Sequence, residues 1–426
     1  MDPVDFEDIV HFLERRPVHR HYTLEGIRYL LDTSETRRLP SFVIHVAGTN
    51  GKGSVCAILA HVYRQAGYRV GFYSSPHLLD IRERIQISGT YISREDFTQQ
   101  FQKLRPIAQN WEKLNPQRPI SHFEYLTAMA LSFFKEQRLE IVLLETGLGG
   151  RCDATTATTA DLSVITTIHH DHQSYLGQTL GEIAREKAGI LCPKIPLVLG
   201  NIRGEALGVI QTAARAQGVP IAEAPAFRIG EGEWAQRYTH LPLYQRDNLE
   251  TAKAVVGQLR EKFPLPPELW DRESPHFHWP CRWECFGNGV GGEIILDGAH
   301  NLQGAEAVLR EIERHRFLGK PFHQLIFGSI EAARARAMLE LLAPPFEEIF
   351  LVADGYERHL SAKELSDCLP RQFLEKSRIL SLAQIGVLLP STGKKLITGS
   401  LYLLGSILKN HRSLLRKPGP NGAAFA

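Results

Sequence analysis

Phe42-Val43-Ile44-His45-Val46-Ala47-Gly48-Thr49-Asn50-Gly51-Lys52-Gly53-Ser54 is the stretch on which the fold turns. A short, mostly apolar and β-branched run passes at once into a glycine-rich turn, and Val55, Ile58, Leu59 and Val62 follow at helical spacing. The segment reads as strand, loop and helix. Gly67 is placed to close the helix from the C′ position, and Tyr68-Arg69-Val70-Gly71-Phe72-Tyr73 supplies the next strand, completing a βαβ unit. Further strands are expected at Ile141 to Glu145 and Leu162 to Thr167. The pattern predicts parallel strands buried under helices on both faces.

A second series follows the polar, proline-containing stretch Asp271-Arg272-Glu273-Ser274-Pro275-His276, taken as the neighbourhood of a domain boundary. Strands at Glu293 to Leu296, Gln324 to Phe327, Ile349 to Val352 and Lys395 to Thr398 alternate with helical patterns such as Ala305 to Ile312. A chain of 426 residues exceeds one ordinary hydrophobic core. The expected architecture is therefore α/β, with a P-loop-containing domain over 1–280 and a smaller α/β domain over 281–426.

Hydrophobic residues at 43% and charged residues at 23% match soluble globular chains and exclude a disordered or fibrous class. With 49 basic and 47 acidic side chains, no charge excess points to nucleic acid or to an anionic membrane as partner, so small-molecule chemistry is expected. Cysteines at 56, 152, 192, 281, 285 and 368 form no Cys-x-x-Cys pair, which argues against zinc-ribbon and thioredoxin-type sites and for reduced thiols. The acidic opening Met1-Asp2-Pro3-Val4-Asp5 is unlike a signal peptide, and no apolar run is long enough to span a bilayer. A cytoplasmic monomer is expected, with a flexible tail at Lys417-Pro418-Gly419-Pro420-Asn421-Gly422.

A glycine-rich loop between a strand and a helix can hold phosphates with its backbone N–H groups and the helix dipole. Lys52 would reach the β- and γ-phosphates, and the Ser54 hydroxyl lies where a P-loop contacts magnesium. The spacing departs from the usual Walker form: two residues separate Gly48 from Gly51, and Gly53 intervenes between Lys52 and Ser54. The plain alternative is an ordinary turn with a solvated lysine; the strand and helix on either side weigh against it.

Ala47 to Ser54 resembles the ATP loop of the Mur ligase superfamily, and other segments narrow the likeness. Ser74-Ser75-Pro76-His77-Leu78, Glu83-Arg84-Ile85, and Glu145-Thr146-Gly147-Leu148-Gly149-Gly150-Arg151-Cys152-Asp153-Ala154-Thr155 resemble folylpolyglutamate synthase/dihydrofolate synthase. So do Asp171-His172, Arg185-Glu186-Lys187-Ala188-Gly189-Ile190, Asp297-Gly298-Ala299-His300-Asn301 and Gly399-Ser400-Leu401, in family order from about residue 42 to residue 405. The resemblance implies a Mur-ligase-like ATPase domain followed by a smaller glutamate-ligase domain, acting in folate biosynthesis and one-carbon metabolism. The expected activity is ATP- and Mg2+-dependent ligation of L-glutamate to dihydropteroate, to folates, or to both.

Such chemistry makes sense of the residue types. A carboxylate forms an amide at neutral pH only after an oxygen becomes a leaving group, which ATP provides as an acyl phosphate; the transfer needs cations more than covalent help. By resemblance Thr49, Asn50, Gly51, Lys52, Gly53, Ser54, Asn248, Arg282 and Asp297 hold the nucleotide, so both domains would contribute to it. Ser75, Glu145 and His172 match ligands of one magnesium ion. Lys187 matches a lysine that is carbamylated in the family and then serves as an anionic oxygen ligand for a second. Ser121, His122, Phe123 and Glu124, with Cys152, Asp153 and Ala154, match the segments that contact the pterin. His300 and Ser400 match the glutamate side, and Lys52, Lys187 and His300 are the candidate catalytic residues.

Each has a plainer reading: Glu145 as a capping carboxylate, His172 as a loop histidine, Lys187 as a solvated surface lysine, and 121–124 as packing at a helix start. The neighbouring His169 and His170 are treated as incidental, since contiguous histidines do not all converge on one ion. Three positions depart from the family: Thr156 stands where asparagine is common, Cys281 where glycine is common, and Tyr244 where histidine is common. Two competing readings are a Mur-type ligase acting on a peptidoglycan precursor and an ATP-binding regulatory protein without turnover. The latter would be expected to lack one of Lys52, Glu145, His172 or Lys187, and all four are present.

Overall fold

The computed structural model describes residues 5–17, 23–225, 238, 240–273, 276–287, 292–353 and 359–415. The tail at 417–422, Ser274-Pro275 in the expected boundary and the opening residues 1–4 lie outside them. The chain divides into two compact units, Met1–Ile229 with Gln245–His278, and Gly230–Tyr244 with Trp279–Ala426. The polar stretch after Asp271 still carries helix as far as Glu273, and the chain passes to the second unit only at Trp279. No sequence signal had set 230–244 apart.

In the first unit eight strands form one sheet: β1 (Phe42–Ala47), β2 (Val70–Tyr73), β3 (Ile85–Ile87), β4 (Thr90–Tyr91), β5 (Ile141–Glu145), β6 (Leu162–Ile165), β7 (Leu197–Leu199) and β8 (Ile221–Glu223). Their order is β4-β3-β2-β5-β1-β6-β7-β8, parallel from β2 to β8, with β3 and β4 added antiparallel at one edge. β1 and β5 are buried almost throughout because helices cover the sheet, which is why both read as continuous apolar runs. Tyr73, Leu126, Met129 and Phe134 belong to one core cluster, while Ile165, Ile183, Leu197 and Ile210 belong to another.

β1 runs through the helix Lys52–Gln65 to β2, stepping over the position that β5 later fills. β5 then leads to β6 on the opposite side of β1. The connections thus diverge at the C-terminal ends of β1 and β5, the place where open α/β sheets leave a ligand crevice. Strand pairing sets Val46 beside Glu145, so the glycine-rich loop and the Glu145 loop leave the sheet side by side.

The second unit carries a six-stranded sheet made of β9 (Arg282–Gly287), β10 (Glu293–Asp297), β11 (Gln324–Phe327), β12 (Glu348–Val352), β13 (Ser377–Leu380) and β14 (Lys394–Thr398). Its order, β13-β12-β11-β14-β10-β9, repeats the device: β10 steps over the place of β14 to reach β11. Only β9 is antiparallel. The loops after β10 and β14 are tied together, the Gly399 N–H donating to the Ala299 carbonyl at 3.0 Å.

Candidate active site

The glycine-rich loop is held from beneath by the segment after β6. Thr49 N–H donates to the Thr167 carbonyl at 2.7 Å, Asn50 N–H to Thr167 Oγ1 at 3.0 Å, and Thr166 Oγ1 to the Asn50 carbonyl at 2.6 Å. β6 therefore ends at Ile165 rather than Thr167, because both threonines are drawn into the loop. Gly51 has φ +89°, and a Cβ there would fall 2.3 Å from Asn248 Oδ1, so the chain needs glycine for its backbone and for the approach of Asn248. Gly53 and Ser54 are buried in the first turn of the following helix. Lys52 folds over its own loop, its Nζ donating to the carbonyls of Gly48 at 3.1 Å and Thr49 at 3.3 Å.

Lys187 meets the same carbonyl. It ends the helix Leu180–Lys187, is 3% exposed, and donates from Nζ to Gly48 at 2.9 Å. Burial, reinforced by the positive charge of Lys52, pulls its pKa from 10.5 down to about 7, with Asp171 and Asp153 opposing the shift. The solvated-lysine reading is thereby set aside.

Glu145 ends β5 with 5% exposure, and its Oε2 accepts the Ser75 backbone N–H at 3.2 Å. His172 sits on the loop after β6 with a left-handed φ of 48°; its N–H donates to Asp171 Oδ1 at 2.9 Å. Thr146, the residue after Glu145, is 1% exposed and its hydroxyl has no hydrogen-bond partner. A buried carboxylate with neighbouring hydroxyls fits a hard divalent cation. Among the described residues no cluster of three or more His, Cys, Asp or Glu is arranged around a metal position, and the expected set contains only two residues of those types. Close by, His77 Nδ1 accepts from Arg84 Nε at 2.9 Å, and burial lowers the His77 pKa to about 3, leaving the ring neutral.

Ser121, His122, Phe123 and Glu124 open the helix His122–Glu136. The Glu124 carboxylate is committed locally: Oε2 accepts from the Ser121 N–H at 2.9 Å and its hydroxyl at 2.6 Å, a reciprocal capping box. His122 Nδ1 lies 3.0 Å from the Leu13 carbonyl. Phe123 is the member of the group that packs against the Glu145 loop, since a Cβ on Gly147 would come 2.6 Å from its ring. Asp153 is likewise spent on structure: Oδ2 accepts the N–H groups of Gly147 and Leu148, and Oδ1 accepts from Thr155 N and Oγ1. Cys152 is half-buried and Ala154 buried beside it.

The second unit gathers the remaining residues at its own crevice. Asp297 ends β10 and accepts from Tyr244 Oη at 2.5 Å, Trp283 N at 3.0 Å and Ala299 N at 2.9 Å; burial raises its pKa against these donors. Tyr244 thus uses its hydroxyl on Asp297. Arg282 Nη1 donates to the Cys281 carbonyl at 3.1 Å. His300 Nδ1 lies 2.9 Å from the Gly298 carbonyl, and Ser400, 2% exposed, caps the helix Leu401–His411. His359 Nε2 is 3.3 Å from Ser400 Oγ. Sequence reasoning gave no part to Thr166, Thr167, His359 or the Tyr244 hydroxyl; threonines just past a strand end carry no spacing signal, and His359 stands outside every quoted motif.

No protein-family model matches the chain. The dihydrofolate synthase/folylpolyglutamate synthase of Bacillus subtilis is 31% identical over 390 residues, 86% of this chain and 89% of that protein. Among solved structures, Escherichia coli FolC in complex with DHPP and ADP superposes with a TM-score of 0.83 at 25% identity, covering 96% of this chain and 98% of that one. A bifunctional folylpolyglutamate synthase/dihydrofolate synthase with Mn, AMPPNP and L-glutamate bound gives a TM-score of 0.79 at 25% identity over 95% and 98% of the two chains. These likenesses do not favour the peptidoglycan-precursor reading. The chain belongs to the dihydrofolate synthase/folylpolyglutamate synthase family of ATP-dependent ligases.

Proposed function

We propose that the protein joins L-glutamate to dihydropteroate and to reduced folates, using ATP and magnesium. The observation that carries the reading is the meeting of the Lys52 and buried Lys187 amino groups on the Gly48 carbonyl, at the loop where a phosphate chain would lie. The related structures with ADP, or with AMPPNP, Mn and L-glutamate, support the same substrates here.

An oxygen of the acid's carboxylate attacks the γ-phosphorus of ATP, and ADP departs with the electron pair of the broken P–O bond. The amine of glutamate then adds to the acyl carbon, inorganic phosphate leaves, and the nitrogen gives up a proton to become the amide. Lys52 and the N–H groups of Gly51 to Ser54, where the helix begins, offset charge on the moving phosphoryl group. Asn248, Arg282 and Asp297 are assigned to the nucleotide. Ser75, Glu145 and His172 would hold one magnesium ion and a carbamate on Lys187 a second, and bound magnesium supplies further neutralisation of phosphate charge. An amine with a pKa of about 7 is about half free base at neutral pH and mostly so above it, and the free base is the form that reacts with carbon dioxide. Phe123 and the 152–154 segment are assigned to the pterin, and His300 and Ser400 to glutamate.

The six free cysteines support a reducing compartment, which we take to be the cytoplasm. Among the described residues no helix is long and apolar enough to cross a membrane. The protein is proposed to act as a monomer on small molecules, without nucleic acid or membrane. Incubation with ATP, magnesium, glutamate and either dihydropteroate or a reduced folate should release phosphate and give a product heavier by one glutamyl residue. No glutamate-dependent phosphate release with either acid would end the proposal.

A further inference from the structure

His45 lies in the middle of β1, 1% exposed, where a covered sheet ordinarily takes an apolar side chain. Its Nε2 is 2.7 Å from Thr155 Oγ1, which in turn is 2.5 Å from Asp153 Oδ1. Proton counting fixes the direction of this chain. The Asp153 oxygens already receive the backbone N–H groups of Gly147, Leu148 and Thr155, so they act as acceptors and Thr155 spends its single hydroxyl proton on Oδ1. Thr155 Oγ1 must then accept from His45, whose ring carries its proton on Nε2. Burial keeps this imidazole neutral, its pKa lowered to about 4.

The far end of the chain is the loop 147–150, which has little room on either side. A Cβ on Gly147 would fall 2.6 Å from the Phe123 ring, and one on Gly150 would fall 2.8 Å from the Lys187 carbonyl. A shift of a few tenths of an ångström in this loop would press on both neighbours.

We propose that His45 is a positioning residue for the acyl substrate: as the Nε2–H tautomer it orients Thr155 and Asp153, and through them sets the loop 147–150 against Phe123. The inference rests on the assignment of Phe123 and 152–154 to the pterin. Long-range proton–nitrogen spectra of histidine-labelled protein, with His45→Leu identifying the resonance, should show the Nε2–H form near neutral pH. His45→Leu should raise the KM for the acyl acid about tenfold, the scale of one lost buried hydrogen bond, while the KM values for ATP and glutamate move less than about twofold. His45→Gln, which keeps an N–H donor, should recover part of the loss. Thr155→Val removes the same link and repeats the measurement should the leucine variant not fold. An Nδ1–H tautomer, an unchanged KM for the acid, or equal changes for all three substrates would overturn the inference. A wild type that turns over neither acid defeats the function proposed above; one that does, with any of those three results, defeats this inference alone.

Discussion

Replacing Lys187 by Met tests the least ordinary group in the structure. Its pKa falls from 10.5 in the open chain to about 7 in the folded protein, so between those values the unfolded chain binds the extra proton. Stability associated with this residue is therefore complete only above pH 10.5 and is lost as pH falls toward 7, below which the deficit stays constant. At pH 7 the deficit is about 4 kcal/mol, and at pH 9 about 2 kcal/mol, taking about 1.4 kcal/mol per unit. Lys187→Met keeps the buried volume and drops the charge. It should be the more stable protein in bicarbonate-free buffer, with an advantage that shrinks by about 2 kcal/mol between pH 7 and pH 9.

Carbon dioxide supplies the second arm of the experiment. At pH 8 an amine with a pKa of about 7 presents roughly 300 times more free base than an ordinary lysine, which favours carbamate formation. Denaturant unfolding across this pH range, with and without bicarbonate, and turnover with both acids form the assay. The wild type should incorporate carbon-13 from labelled bicarbonate, and Lys187→Met should incorporate none and lose turnover. In Lys187→Ala a small carboxylic acid should restore part of the activity by supplying the missing oxygens. A stability difference that does not change with pH, or full activity with an unmodified Lys187 in bicarbonate-rich buffer, would refute the reasoning.

Lys52→Ala should cut ATP-dependent turnover by about 100-fold or more yet melt within about 0.5 kcal/mol of wild type, because its ammonium bonds only to its own loop. Phosphate release beside thermal melting checks this. Gly51→Ala must place a side chain at φ +89° against Asn248; a cost of about 1–2 kcal/mol and a raised KM for ATP are expected from unfolding curves and kinetics. Glu124→Ala removes one half of a capping box and should cost about 1 kcal/mol, with the KM values for dihydropteroate and folate moving together; a loss confined to dihydropteroate would instead reveal a direct contact.

The glycine-rich loop, β1, β5 and four strands of the second sheet, β10, β11, β12 and β14, could be read from the sequence because strands buried on both faces are mostly apolar runs, and such runs need no partner to be recognised. β3 and β4 form a short hairpin at one edge of the first sheet, β7 has three residues and β13 lies at the edge of the second sheet, and none is long enough to leave a period to find. Candidate site residues were legible as identities but not as commitments. Ser121-His122-Phe123-Glu124 contains the spacing of a capping box, and the structure spends Glu124 on that cap. Asp153 was equally visible, yet its four hydrogen bonds depend on how the chain turns back from Gly147, which spacing does not encode.

The departure at Cys281 shows how a side chain's identity and a backbone's demand can part company. Cys281 and Trp283 both adopt left-handed backbone, φ 56° and 57°, on either side of Arg282. Each costs about 1–2 kcal/mol for a residue with a side chain, so a glycine at 281 would relieve strain that the cysteine retains. The conformation persists because it is over-determined: Cys281 N–H donates to Glu284 at 3.0 Å, the Cys281 carbonyl accepts Gly298 N–H at 2.8 Å, and Trp283 N–H is held by Asp297. What the strain secures is the position of Arg282 at the tip of β9, where β10 presents Asp297 across a register shift. Backbone held out of its comfortable regions by such bonding is a physical reason to test Arg282 for function, while its assignment to the nucleotide rests on the family resemblance.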